Sequence, residues 1–305
     1  MSLIPRHIGR LTPSLGLVCL ALLGRVSATA EVQLFQVDPV RSSLTLQGQT
    51  AGVTWQEQAG GSLAVDFQGW LAVDLNSDSI QFIAGSGLAG IQTNDWSPGP
   101  RGSGGTEPAD YGGNVTVGTG FSTDHMISAI RDLAFSVSSD PLPLVDGQFE
   151  DDLLLTIPTG GPAALDYRAS GLLVQGGRRS LAGLGNTNVP ATGTYVKPIN
   201  PDSGPVLTIP IDVSLPAQAT PAGDTILRFT GQAVATRGGF ILQPVLLCVP
   251  SATAPGQFTL VWDARFKLQS TPDLNTPNWT DYPASAPVDV SFDGEAGFFR
   301  VVPAP

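Results

Sequence analysis

Leu207-Thr208-Ile209-Pro210-Ile211-Asp212-Val213-Ser214-Leu215 alternates apolar and polar residues without a break. Successive side chains on a β-strand point to opposite faces, so this segment buries one face and wets the other. Pro210 has no N–H to give to a ladder, which places it at a sheet edge or a bulge. The same alternation recurs at Leu44/Leu46, Val53/Trp55, Leu63/Val65/Phe67, Leu71/Val73/Leu75, Ile80/Phe82, Val115/Val117 and Leu227/Phe229. Gly60-Gly61, Asn76-Ser77-Asp78, Gly112-Gly113 and Gly223-Asp224 punctuate these runs with turn chemistry. His125 to Phe135 fits either a helix or a strand ending in Ala134-Phe135-Ser136-Val137, and the strand is the reading taken. With 36 Gly, 26 Pro and only 13% charged residues, the chain suits short strands and many turns, not helices. The expected fold is all-β, an antiparallel β-sandwich or barrel.

The first thirty residues have a different character. Arg6 and Arg10 precede the apolar run Leu15 to Leu23, and Ala28-Thr29-Ala30 closes the segment. That order is the signature of a secretory signal peptide, residues 1–30, and its apolar run is too short to span a bilayer. The expected location is therefore secreted: periplasmic, extracellular or at the cell surface. A main domain is expected over residues 31–250. Pro250-Ser251-Ala252-Thr253-Ala254-Pro255-Gly256 then reads as a linker at 251–256. Four more strand candidates follow in a small module at 257–305, which is short enough to need support from the main domain. Ser97 to Gly113 and Gly183 to Gly204 read as long loops.

The C-terminal segment resembles a short fibronectin-III-like β module of secreted bacterial proteins. The residues that carry the resemblance are Trp262, Phe266 to Leu274, Asn278-Trp279-Thr280 and Phe298-Phe299-Arg300-Val301. It covers about the last fifty residues and implies a structural or surface-associated part with no catalysis. Near the start, Phe35-Gln36-Val37-Asp38-Pro39-Val40-Arg41-Ser42-Ser43-Leu44 is similar to the opening strand of the YceI-like lipid-binding barrels, with Arg41 where that family usually has His.

Charge and rare residues narrow the chemistry. The chain has a formal charge of −11, and −14 once the three arginines of the first thirty residues are set aside. That sign opposes nucleic acid and anionic lipid. His125 is the one histidine after the signal, beside Asp124, and no Gly-x-Ser-x-Gly elbow exists, so serine hydrolysis lacks its parts. A zinc site needs three or four ligands, which one His and one Cys do not provide. Cys248, within Val245-Leu246-Leu247-Cys248-Val249, reads as a small buried hydrophobe. Gly85-Ser86-Gly87-Leu88-Ala89-Gly90 matches a dinucleotide fingerprint, but Asn94, Pro98 and Pro100 leave no room for the helix it requires.

Three candidate sites remain. Asp74, Asn76 and Asp78 have the first three oxygen spacings of a calcium loop, and a hairpin turn accounts for the same residues. Trp96, with Asn94, Asp95 and Tyr111, forms a candidate glycan site, since an aromatic ring stacks on sugar C–H groups while amides and carboxylates reach hydroxyls. The competing reading folds Trp96 back onto the sheet. Paired carboxylates for glycoside cleavage are compatible with the chain, but no pair stands out, and Glu150-Asp151-Asp152 reads as a solvated strand entry. Trp55 and Trp70 are expected in the main core, and Trp262 and Trp279 in the module core. The function expected first is a non-catalytic extracellular or surface protein that binds polysaccharide or takes part in matrix or adhesion, with calcium as the one cofactor in view. A barrel carrier of an apolar ligand and a carboxylate-based polysaccharide-cleaving enzyme stand behind it.

Overall fold

The computed structural model describes residues 31–304 apart from 60–62, 93, 120–121, 172–174, 198–203, 238–244, 252–256 and 292–296. The expected signal segment and most of the expected linker lie outside the described residues. The chain begins with β1 (Glu31–Val37), β2 (Ser43–Thr50), β3 (Val53–Thr54) and β4 (Gln56–Glu57). Then come the long β5 (Ala64–Leu75), β6 (Ser79–Phe82) and β7 (Gly87–Gly90). β8 (Asn94–Trp96) and β9 (Glu107–Ala109) bracket a 3-10 turn at Pro100–Gly102. β10 (Tyr111–Thr119), β11 (Ser122–Arg131), β12 (Ala134–Ser138), β13 (Leu142–Pro143) and β14 (Gln148–Thr156) follow. β15 (Ala164–Ser170), β16 (Gln175–Ser180), β17 (Gly185–Val196), β18 (Val206–Thr220) and β19 (Gly223–Thr236) complete the main domain.

The main sheet closes on itself. Antiparallel pairing runs β5–β7–β12–β14–β17–β18–β19–β2, and Ser43–Thr45 of β2 pairs back onto Ala64–Asp66 of β5. β1 continues the same seam, bonding β5 along Glu31–Gln36 and β19 at Gln36–Val37. The architecture is a barrel, and its interior is full. Phe35, Phe67, Phe82, Phe135, Phe149 and Phe229 are at most 1% exposed. Their rings meet edge-on or tilted, with Phe135 centred 5.4 Å from Phe229 and 6.3 Å from Phe67. Such rings supply the largest apolar areas a core can bury.

A five-stranded sheet, β16-β15-β11-β10-β4, caps one end. All its connections to the barrel emerge there, and its inner face sends Tyr111, Met126, Ile130, Leu165 and Tyr167 into the common core. Tyr111 is fully buried and its hydroxyl donates to the Leu44 carbonyl at 3.0 Å.

Aromatic rings repeatedly cover glycines of a neighbouring strand. Phe149 faces Gly193 directly across β14 and β17, and Tyr167 faces Gly177 across β15 and β16. Trp55 lies against Gly48 and Gly113, and Trp96 against Gly112. A Cβ at any of these glycines would fall inside the ring's van der Waals envelope. A ring laid over a bare backbone restores the packing that a glycine in a strand forfeits.

The small module holds β20 (Leu246–Pro250), β21 (Gln257–Trp262), β22 (Phe266–Thr271), β23 (Thr280–Asp281), β24 (Val288–Ser291) and β25 (Phe298–Pro303). Two three-stranded sheets, β20-β21-β24 and β23-β22-β25, enclose Leu260, Trp262, Phe266, Leu268 and Val290. β20 pairs with β21, so the module begins ahead of residue 251. It leans on the barrel as its size required: Val261 and Leu247 pack on Val32, Leu34 and Ala72, the outward side chains of β1 and β5. Asp263 locks the contact. It is 4% exposed, accepts the Leu34 N–H at 3.2 Å, and pairs with Arg237 at 3.0 Å and Arg265 at 2.8 Å.

Several expectations change. Cys248 is exposed, on the edge strand β20 of the module. Trp279 is half-buried under the Arg300 guanidinium, 4.2 Å from the ring centre, and stays out of the module core. Trp70 is half-buried at the module contact. Phe35 to Leu44 is not one strand: it ends β1, turns at Asp38, whose carboxylate accepts the Val40 N–H, and opens β2. The second of the long loops is mostly strand β17 among its described residues, whereas Ser97 to Gly113 stays largely loop and turn until β9 and the start of β10. Pro210 is exposed on β18 just past Thr208, the last residue that pairs with β17, so its missing N–H faces a local edge.

Candidate functional site

The end of the barrel opposite the cap opens into a cleft of about 460 Å³. Three chain segments form it. Leu75, Asn76 and Ser77 come from the β5–β6 turn, Leu144 and Asp146 to Gln148 from the β13–β14 turn, and Thr194 to Lys197 from the end of β17. The β13–β14 turn is a two-residue hairpin over Asp146-Gly147, both at positive φ (49° and 77°), with Val145 and Gln148 exchanging backbone hydrogen bonds of 2.8 Å. Asp-Gly is the preferred pair for that turn because its backbone twist matches that of the strands. The three segments are tied together: the Tyr195 N–H donates to Gly147 O at 2.7 Å and the Leu144 N–H to Asp78 O at 2.8 Å.

The lining is mixed. Leu75, Leu144, Val196 and the Tyr195 ring, edge-on to Phe35, give apolar wall, while Asn76, Gln148, Asp146 and Lys197 give hydrogen-bonding and charged groups. Val145 (67% exposed) and Val196 (55%) stand at the rim, among the most exposed large apolar residues described. On the flank, a groove of about 450 Å³ contains Asp140, Asp151 and Asp152, and a smaller one contains Asp146 and Glu150. The flank beside the mouth is therefore acidic, while the cleft itself carries one acid, Asp146, and one base, Lys197. No group of three or more His, Cys, Asp or Glu is placed to hold a metal ion among the described residues.

Of the sequence candidates only Asn76 lines this cleft. Trp96 is 3% exposed, packed on Ala109 and Ala129 over the outer face of the cap, so its ring is covered and offers no stacking surface. Tyr111 is in the core, whereas Asn94 and Asp95 are exposed. The four residues do not converge on a site. Asp74, Asn76 and Asp78 belong to the β5–β6 hairpin, where the Asn76 N–H donates to Ser79 O at 2.9 Å. Burial raises the Asp74 carboxyl above its usual range. His125 is exposed on β11, on a strand and not a loop, with Nδ1 3.1 Å from the Thr116 hydroxyl. In the glycine fingerprint, Ser86 Oγ donates to Ala72 O and accepts the Ala72 N–H, and Gly87–Gly90 is strand β7. No helix follows it. Two turn signals in the sequence mark this mouth, Asn76-Ser77-Asp78 and Asp146-Gly147.

The loop that Trp96 opens is held by buried charge. Asp166 is fully buried and receives Arg131 Nη1 at 2.7 Å, Arg178 through two nitrogens at 2.8 Å, and the Arg101 N–H at 2.7 Å. Arg131 also donates to Pro98 O at 2.7 Å and Trp96 O at 3.2 Å. Desolvation pushes the Asp166 carboxyl up, but the hydrogen bonds from Arg178, the Arg101 amide and Arg131 outweigh it and hold it below the usual range.

Asp110 is the opposite case. It is 3% exposed, its Oδ2 accepts the Leu133 N–H at 2.8 Å, and its Oδ1 has no partner among the described residues. Burial first, then the nearby Asp132 charge, raise it from 3.8 to about 6 against the opposing Leu133 hydrogen bond. A folded value above the unfolded one means that the native chain holds the extra proton, so stability falls as pH rises from 3.8 to about 6. Asp110→Asn is expected to stabilise the protein at pH 8 by about 2–3 kcal/mol and to do nothing at pH 3. Urea midpoints at the two pH values check it, and equal shifts at both would refute the burial argument.

No protein-family model, curated protein or solved structure matches the chain.

Proposed function

We propose that this is an exported, non-catalytic protein that binds a neutral glycan at the barrel mouth. The observation that carries the reading is the cleft's mixed lining. Apolar walls from Leu75, Leu144, Val196 and Tyr195 suit the C–H faces of a sugar ring, and Asn76, Gln148 and Asp146 suit its hydroxyls. Carboxylates on the flank beside the cleft repel anions, which favours an uncharged ligand. A volume of about 460 Å³ lies in the range of small-ligand sites. The packed ring core leaves an apolar carrier little room inside the barrel.

Val196 is 55% exposed, so Val196→Trp fills the cleft without touching the core. Retention on dextran, xylan, cellulose and galactomannan columns is expected for the full chain. At least tenfold weaker binding is expected for Val196→Trp, with an unchanged melting temperature. Absence of retention on every column sinks the proposal, as does equal binding by the variant. Reducing-end release during the assay would move the reading to an enzyme, and a lipid mass in native mass spectrometry would move it to a carrier.

A further inference from the structure

The cap carries a surface of opposite character at the other pole. Alternation on β11 and β15 sends Met126, Ile130, Leu165 and Tyr167 into the core and turns His125, Ile127, Arg168 and Ser170 away from it. The Trp96 loop covers one half of this outer face. The described residues leave the other half open. Across it, Thr116, His125 and Ser170 form one row of register and Asn114, Ile127 and Arg168 the next. Thr116, His125, Arg168 and Ser170 are exposed. Arg101, also exposed, stands beside them on the 3-10 turn, where Gly102 packs on the backbone of Tyr167 and Gly176.

The charge of this half-face is not cancelled locally. Arg131 and Arg178 are spent on Asp166, Arg228 on Asp212, and Arg237 and Arg265 on Asp263. Arg101 and Arg168 make no ion pair among the described residues. Asp124, next to His125, alternates to the other face and pairs in register with Val117. Asp166, in the row of register beside Arg168, is saturated and fully buried, and the exposed carboxylates of this face, Asp95 and Glu107, sit on the loop over its other half. At physiological salt the screening length is about 8 Å, so an incoming group responds to these cations more than to the distant acidic surface.

We propose that this half-face binds a carboxylate or sulfate group carried on an extended polysaccharide. Arg168 and Arg101 supply charge-assisted donors. Thr116, Ser170 and Asn114 supply hydrogen-bonding groups on a flat, three-strand width of about 10 Å, which suits an extended chain and not an enclosed small molecule. Nucleic acid fits less well, because the face offers no exposed aromatic among the described residues for base stacking and the net charge opposes a dense phosphate backbone. The proposal does not rest on the mouth reading.

The test uses the full chain on immobilised dextran sulfate and on unmodified dextran. Expected are retention on dextran sulfate that weakens as salt rises, at least a tenfold loss in Arg101→Gln/Arg168→Glu with an unchanged melting temperature, and no loss in Val196→Trp. Failure to bind dextran sulfate, or unaltered binding by the double variant, overturns it. Inorganic sulfate that competes as well as the polymer at equal sulfate concentration overturns the polymeric ligand, and stronger retention on single-stranded DNA overturns the choice of polysaccharide.

Discussion

Asp166→Asn lowers the unfolding free energy by about 3–5 kcal/mol, because it leaves the buried Arg131 guanidinium without its counter-charge. For a chain of this size that is a fall in melting temperature of roughly 10 °C. The loss is large because Arg131 is 4% exposed and cannot turn to water while it holds the Pro98 and Trp96 carbonyls. The loop carrying Arg101 should open with it, so trypsin cleavage at Arg101 should quicken. Asp212→Asn is the control: its pair with Arg228 lies in solvent and its loss should change little. Equal effects from the two substitutions would mean that the buried triad contributes nothing special.

The second large effect is at the module contact. Asp263→Asn is expected to cost about 3 kcal/mol, because Arg237 is left half-covered at the joint and the Leu34 N–H loses a charged acceptor. Hydrogen exchange localises the damage. Amides of β1 and β21 should lose protection while β18 and β19 keep theirs. Loss spread evenly over the barrel would show that the module is part of one cooperative unit.

Asp166 and Asp263 both titrate below the ordinary carboxylate range. Desolvation raises each, and the arginine hydrogen bonds and charges more than reverse it. Their stabilisation is complete above the unfolded value of 3.8 and is lost as pH falls through the lower folded values. Asp110 acts in the opposite sense, giving back stability as pH falls from about 6 toward 3.8. The stability maximum should therefore lie between those two values.

What the sequence revealed was one-sided burial. β18 alternates cleanly because its outer face meets water along its whole length, and Leu207 to Leu215 showed it. β1 does not alternate, because Val32 and Leu34 lie under the module while Phe35 and Val37 face the barrel, and a strand buried on both sides has no period to read. The Ser97 to Gly113 loop looked unable to order itself for lack of apolar residues. Its order comes from Arg131 and Asp166, which are 35 positions apart, and no local pattern links them. The mouth was hidden for a related reason: two turns and a strand end distant in sequence build it, and although Asn76-Ser77-Asp78 and Asp146-Gly147 each signal a turn, nothing local brings them together.

The glycine–aromatic pairs bear on how this chain can change over time. At Gly193 any larger residue collides with Phe149, and a smaller residue at Phe149 strands the bare backbone opposite. Neither member can drift alone. A lineage could cross such a pair only by exchanging both residues together, so these positions are hinges of sequence divergence: fixed in step, on strands whose outward residues are free to wander.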